Sequence, residues 1–340
     1  MEQQKKTMKA LVLEEPKKPI VFKEIEIPTP KSGQVLVKVE SAPINPSDLA
    51  FLQGHYSSNK GYPCVPGFEG SGVVISSGGG ILGWSLVGKR VAIAAQTQWG
   101  TYAEYCVADA NSVLPLPDEV SFNQGACTFV NPLTVIAMLQ IVQEANVKTV
   151  VHSAAASALG KMMVRYFQDN GVQVINVVRR AEQVEILKKE GAQHILDSTQ
   201  EDFDEKLKAL CTSLNATIFF DAVAGELTGR VLRCMPNKST VYVYGGLSLS
   251  GSVLDPSDLI FRKQTVTGFW LTEWLKNKNI VSLLFLLKKL KGLLLSQLKT
   301  DIQREACLEE GINAVKFYTS NMSKGKVVFK PQNRQEKQNE

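Results

Sequence analysis

Residues 149–178 constrain this chain more than any other stretch. TVVH (149–152) is a short β-branched run suited to a buried strand, and residues 161–169 carry Met162, Met163, Tyr166 and Phe167 at helical spacing. Between them lie only small residues, SAAASALG (153–160). Gly171 ends the helix and 172–178 forms the next strand. The same rhythm continues downstream, with strand candidates at 194–196, 218–221, 240–244 and 265–270 separated by helical stretches. Alternation at this spacing implies an α/β domain built on a parallel, doubly wound sheet.

The turn between the first strand and helix has a chemical consequence. Small side chains at Ala156, Ser157 and Ala158, followed by Leu159, let the backbone approach a pyrophosphate where a helix N-terminus offers N–H groups and partial positive charge. Of the three glycines in the usual fingerprint, only Gly160 is present. Arg179 and Arg180 follow the second strand. An acidic residue there would bind a ribose 2′-hydroxyl, whereas an arginine can pair with a 2′-phosphate. NADPH is therefore favoured over NADH. A solvated basic loop after an ordinary strand–helix–strand unit is the competing reading.

The first third of the chain has a different texture. Residues 9–13, 34–39, 72–75, 90–94 and 102–107 are short alternating or β-branched runs separated by Gly, Pro and Ser, which reads as a barrel-like or irregular β domain. One helical stretch spans 123–144. The tail reads as helical over 304–317 and strand-like over 326–330, returning to the β domain. Residues from Pro331 onward are polar and expected to fray.

A length of 340 residues accommodates two domains, and 44% apolar with 21% charged residues is ordinary for a globular protein. The greasy run 280–287 stops at Lys288 and Lys289, far short of a membrane span, and reads as an amphipathic helix. The first residues, MEQQKK, resemble neither a secretory signal nor a typical transit peptide, so a cytoplasmic or matrix location is expected and secretion is not. Cys64, Cys106, Cys127, Cys211, Cys234 and Cys307 stand singly, which indicates neither a disulfide framework nor a metal site. A net charge of +5 suits an anionic substrate but is too mild to point to nucleic acid. Lys288, Lys289 and Lys291 could meet the phosphates of coenzyme A or an acyl carrier, although a solvated helix face is the plainer reading. GWSLVGK (83–89) matches the start of a P-loop, yet Arg90 replaces the required Ser/Thr and a strand follows, so a turn between strands is expected. No nucleophile-elbow motif supports hydrolase chemistry.

Several motifs together identify the chain as resembling the medium-chain dehydrogenase/reductase superfamily over residues 8–330: APINPSD (42–48), PGFEGSG (66–72), GTYAEY (100–105), LPD (116–118) and GKVV (325–328). The resemblance implies a GroES-like β-rich catalytic domain, residues 1–125 with 293–340, and a Rossmann domain binding NADP, residues 126–292. Zinc enzymes of that superfamily carry Cys where this chain has Asn45, and His where it has Phe68 beside Glu69. Neither side chain here can supply a thiolate or imidazole. The closely spaced cysteines of the structural zinc lobe are also missing, so a zinc-free oxidoreductase is expected. Two such branches fit, the quinone oxidoreductases and the trans-2-enoyl thioester reductases of mitochondrial type. NPSD leading to QGHY (45–56), VNP (130–132), INVVR (175–179), YGG (244–246), LIF (259–261) and GFWLTEW (268–274) resemble the latter.

That likeness implies NADPH as hydride source and Tyr56 as proton donor, with Asn45 orienting the nicotinamide or its ribose. Without it, Tyr56 would read as a packing tyrosine and Asn45 as an Asx turn before Pro46. Asn131, Tyr244, Gly245, Gly246, Phe269, Trp270, Leu271 and Lys326 match cofactor-contacting positions, with core or dimer packing the alternative for the aromatics. A homodimer through the edge strand from Thr265 to Trp270 and a mitochondrial matrix location are implied in the same way. Two departures stand out: Ala154, Ala155 and Ala156 replace polar residues of the turn, and the second arginine directly follows the first. The function expected is reduction of the C=C bond of a small-molecule or enoyl thioester substrate. An NADPH:quinone oxidoreductase is the alternative, and a non-catalytic accessory subunit of a larger assembly is a third.

Overall fold

The computed structural model of the chain describes residues 6–56 and 61–332. It divides into two compact units, Met1–Val130 with Leu287–Glu340, and Asn131–Leu286.

The first unit is built from β1 (Thr7–Val12), β2 (Val21–Glu26), β3 (Gln34–Pro43), β4 (Glu69–Ser77), β5 (Arg90–Ala94), β6 (Tyr105–Asp109) and β7 (Val113–Pro115). The second contains β8 (Thr149–Ser153), β9 (Gln173–Val178), β10 (His194–Asp197), β11 (Ile218–Asp221), β12 (Thr240–Val243) and β13 (Thr265–Gly268), after which β14 (Ile302–Ala306) and β15 (Lys326–Phe329) rejoin the first.

In the first unit β1 and β2 form an antiparallel pair, and the main sheet runs β14-β15-β3-β4-β5-β7 with β6 also on β3. The long strand β3 explains this branching, because Val35, Val37 and Val39 are all fully buried while the strand pairs with β4 and β6 along its length. The tail does return to this sheet, and every residue of β15 is buried.

Three sequence expectations need correction. The stretch 304–317 is not one helix: Arg304–Ala306 belong to β14, paired parallel with β15, and the helix runs Gly311–Asn321. Glu310 accepts a hydrogen bond from the Cys307 backbone N–H at 3.1 Å and restarts the chain there. The stretch 123–144 is two helices, Phe122–Ala126 and Val130–Glu144, interrupted where the backbone N–H groups of Phe129 and Val130 both donate to Glu69. The segment expected to be a plain turn before Arg90 contains a helix, Ile81–Leu86, whose Trp84 N–H bonds the Gly80 carbonyl.

The second unit is a six-stranded, all-parallel sheet in the order β10-β9-β8-β11-β12-β13. From β8 the chain winds outward through β9 and β10, then returns to add β11, β12 and β13 on the other side. The switch point therefore falls between β8 and β11, the crevice where such sheets bind ligands. Every residue of β8 and β11 is buried, as strands covered on both faces require. The helix Ala158–Asp169 buries Met162, Met163, Tyr166 and Phe167. It stops at Gly171, whose φ of 71° is left-handed and lets Val172 N–H return to the Phe167 carbonyl. The chain is thus a GroES-like β-rich domain joined to a Rossmann-type sheet. Among the described residues no helix is long and apolar enough to cross a membrane.

Candidate active site

In the first unit the geometry centres on Asn45. It precedes the helix Pro46–Leu52, and its backbone N–H donates to Asp48 Oδ2 at 2.9 Å, while the other Asp48 oxygen accepts from Phe68 N–H at 3.1 Å. The Asn45 side chain is fully buried and held at both ends. Its Nδ2 donates to Glu69 Oε1 at 2.9 Å, and its Oδ1 accepts from the Lys326 ammonium. In the capping box the side chain also accepts from the Asp48 backbone N–H, which leaves one amide hydrogen over.

Glu69 and Lys326 are each only 1% exposed. Burial pushes the Glu69 carboxyl up, opposed by the Lys326 cation and by donors from Val130, Asn45 and Phe129. Both carboxylate oxygens accept N–H hydrogen bonds, which suits the ionised form. Burial disfavours the charged form of Lys326, but Tyr318, Cys127, Glu69 and Asp48 outweigh it and hold the ammonium above its ordinary pKa. Lys326 also donates to the Ile44 carbonyl at 3.1 Å, with the Tyr318 hydroxyl at 3.5 Å. Far from facing water, this lysine is a buried cation joined to a buried carboxylate through one asparagine.

Tyr56 is half-buried, its ring 4.9 Å from that of Phe68. Phe68 occupies the position where zinc relatives have an imidazole, and here it is a packing surface for Tyr56. The first unit therefore brings Asn45 and Lys326 into direct contact and links Tyr56 to them through Phe68 and Asp48. Sequence reading passed over Asp48 and Tyr318. The Asn45/Asp48 spacing of a capping box was the available signal for the first, and no local signal marked the second.

In the second unit the phosphate turn is as small as its sequence requires. Ser157 caps the helix by accepting from Gly160 N–H at 3.1 Å. Ala156 and Leu159 have buried side chains, so any contact they make is through backbone. The N–H groups of Ala158 and Leu159 lie in the first turn, where a helix supplies no partner. A Cβ on Gly160 would lie 2.0 Å from the Ala155 carbonyl oxygen, which accounts for the one retained glycine. Arg179 and Arg180 are exposed at the end of β9. Arg180 Nε lies 3.5 Å from Glu182, whereas Arg179 forms no ion pair among the described residues. Small turn, helix N-terminus and an available arginine fit a dinucleotide carrying a 2′-phosphate.

The far side of the switch point is shaped by Asp221, which sequence reading missed. Fully buried at the end of β11, it accepts from Ser153, Val223, Ala224 and Thr228 at 2.7–3.2 Å. Leu247 N–H bonds the Ala222 carbonyl, and a Cβ on Gly245 would come within 2.8 Å of the same oxygen. Tyr244, Gly245 and Gly246 are thereby laid against this loop, with Gly246 exposed. The Tyr244 hydroxyl lies 2.7 Å from His152 Nε2. Phe269 N–H bonds the Val243 carbonyl, Trp270 is 41% exposed and precedes the helix Leu271–Lys276, and Leu271 is half-buried. Asn131 is buried in the first turn of the helix Val130–Glu144.

A Rossmann sheet with a small-residue turn at a helix N-terminus, in one chain with a GroES-like unit carrying a buried polar cluster, defines a nicotinamide-dependent oxidoreductase. Comparison with known proteins agrees. Residues 31–118 match the alcohol dehydrogenase GroES-like domain and residues 158–285 match the family described as zinc-binding dehydrogenase. The mitochondrial enoyl-[acyl-carrier-protein] reductase of Arabidopsis thaliana is 32% identical over 276 residues, spanning 78% of this chain and 73% of that protein. The structure of a candidate NADPH:quinone reductase from Mesorhizobium loti superposes with a TM-score of 0.87 at 33% identity, covering 96% of this chain and 98% of that one. A mycobacterial protein solved in complex with NADPH shares the fold, with a TM-score of 0.81 at 24% identity, covering 95% and 100%. The chain belongs to the medium-chain dehydrogenase/reductase family, among its enoyl reductase and quinone reductase relatives, and its fold is an NADPH-binding one. Where zinc members of the family carry ligands, Asn45 is instead tied to Glu69 and Lys326. Among the described residues no group of three or more His, Cys, Asp or Glu side chains could hold a metal.

Proposed function

We propose that the chain reduces the C=C bond of a 2-enoyl thioester with NADPH. The cofactor, when bound, supplies a hydride for Cβ. The chain must then supply a proton for Cα and stabilise charge developing on the thioester oxygen. The observation that carries the reading is the placement of Tyr56, a phenolic proton donor, against Phe68, whose backbone shares Asp48 with Asn45. Asn45 is the orienting group. Its amide is fixed by Glu69 and polarised by the Lys326 ammonium, so its remaining hydrogen-bonding capacity has a set direction. On the nucleotide side, Ala156, Ser157, Ala158 and Leu159 border the pyrophosphate, Arg179 pairs with the 2′-phosphate, and Asn131, Tyr244–Gly246, Phe269–Leu271 and Lys326 are the further cofactor positions. The curated relatives named as enoyl reductases support this choice of substrate.

Quinone reduction is the second reading, supported by the Mesorhizobium loti protein. Crotonyl-coenzyme A and a soluble quinone, each followed by NADPH absorbance, separate the two. Turnover of the quinone alone would overturn the enoyl assignment. Tyr56→Phe is expected to lower enoyl turnover by about 10²-fold or more with NADPH affinity unchanged. Undiminished turnover would remove Tyr56 from the mechanism.

A homodimer through β13 belongs to the same proposal. That strand ends the sheet with Thr265, Thr267 and Gly268 exposed, and Ile260 and Phe261 of the same unit are 64% and 78% exposed. Light scattering reads the oligomeric state directly. Residence in the mitochondrial matrix rests on the names of the relatives, and cell fractionation tests it.

A further inference from the structure

His152, buried against Tyr244, is a polar side chain of the second unit that the proposed chemistry has not used. His152 lies in β8, is completely buried, and stacks on the Tyr244 ring with centroids 6.0 Å apart and planes 15° from parallel. Its Nε2 is 2.7 Å from the Tyr244 hydroxyl, while its Nδ1 is buried with no hydrogen-bond partner among the described residues. Burial lowers the imidazole pKa to about 3, so the ring is neutral and carries one proton.

The place of that proton decides what the tyrosine can do. With the hydrogen on Nδ1, a buried donor is left unsatisfied and the phenolic proton is spent on Nε2. With the hydrogen on Nε2, the unsatisfied atom is only an acceptor, which folded proteins tolerate better than an orphaned donor. In that tautomer Nε2–H donates to the phenolic oxygen and the Tyr244 O–H is left to donate elsewhere.

The location gives the donor a target. Tyr244 follows β12, yet its hydroxyl returns across β11 to β8, the strands flanking the switch point. A dinucleotide crossing there, with its 2′-phosphate on the Arg179 side at β9, directs its nicotinamide half toward β11 and β12. We infer that His152 is a positioning residue, which donates to the Tyr244 oxygen and so turns that hydroxyl into a donor for the carboxamide oxygen of the nicotinamide. This rests on the NADPH reading above.

Two measurements test it. In ¹⁵N-labelled wild-type protein without nucleotide, the His152 ring should carry its proton on Nε2, and a proton on Nδ1 would overturn the inference. By calorimetry, Tyr244→Phe should weaken NADPH binding about tenfold, the loss expected for one desolvated hydrogen bond. His152→Leu should match it, His152→Gln, which keeps an N–H donor, should stay within about threefold, and His152→Leu with Tyr244→Phe should be no worse than Tyr244→Phe alone. A folded Tyr244→Phe protein with unchanged NADPH affinity would overturn the inference and leave the cofactor reading intact. Wild-type protein that binds no NADPH would remove both. Should the variants fail to fold, the wild-type tautomer decides.

Discussion

Each unit buries a carboxylate, and the two are satisfied in different ways. Glu69 in the first unit is met by a buried cation, Lys326, acting through Asn45, together with two backbone N–H groups. Asp221 in the second is met by two hydroxyls and two backbone N–H groups, and no cation pairs with it among the described residues. The cations near the nucleotide turn, Arg179 and Arg180, stay at the surface. An enclosed charge needs a counter-charge or several donors to offset the loss of water. A face that must receive phosphates can shape its loops with neutral donors and keep its arginines outside for the ligand. The lesson is that the first unit spends its lysine internally, fixing one amide, whereas the second keeps positive charge in reserve.

The largest test of that contrast is Lys326→Met. It leaves Glu69 buried without its cation, and we expect a loss of about 3–5 kcal/mol in urea unfolding. A loss below about 1 kcal/mol would mean that the N–H donors suffice, as they do for Asp221.

The second test concerns pH. His152 binds a proton near 6.5 when unfolded but only near 3 when folded. Its contribution to stability is therefore complete above 6.5 and lost as pH falls toward 3, about 3 kcal/mol by pH 4.5. His152→Gln should flatten that limb of the stability–pH curve, and an unchanged slope would show that other groups set it.

Gly160→Ala comes third. Alanine normally favours a helix, but here its Cβ meets the Ala155 carbonyl, so a loss of about 1–3 kcal/mol is expected in thermal unfolding, with weakened NADPH binding. The smallest effects separate the two arginines. Arg179→Gln should weaken NADPH about tenfold while leaving NADH unchanged, whereas Arg180→Gln, paired with Glu182, should change it by about threefold or less. Equal effects on both nucleotides would remove the 2′-phosphate from the Arg179 assignment.

Much of the second unit is legible in the sequence. Periodicity and β-branched runs located all six parallel strands, of which the central β8 and β11 are buried throughout, as strands covered on both faces are. The chain around 304–317 and 123–144 was not legible, since helical composition there is overruled by pairing with β15 and by Glu69 drawing two backbone N–H groups out of the helix. At the site, Asn45, Tyr56 and Lys326 came from motif likeness, which gave Lys326 a cofactor contact but none of its buried partners. Its partners Ile44 and Asn45 lie 282 and 281 residues away in sequence, and no local pattern reports them.

Local residue chemistry by itself determined the strand–turn–helix–strand unit, the smallness of its turn, and the unsuitability of Asn45 and Phe68 as zinc ligands. Those are properties of single side chains and short spacings. Tertiary structure alone decided that Lys326 and Glu69 share one asparagine and that Tyr244 reaches back to His152. Each of these depends on distant segments meeting in a region of low dielectric constant, where burial fixes which charges persist and which hydrogen bonds must form.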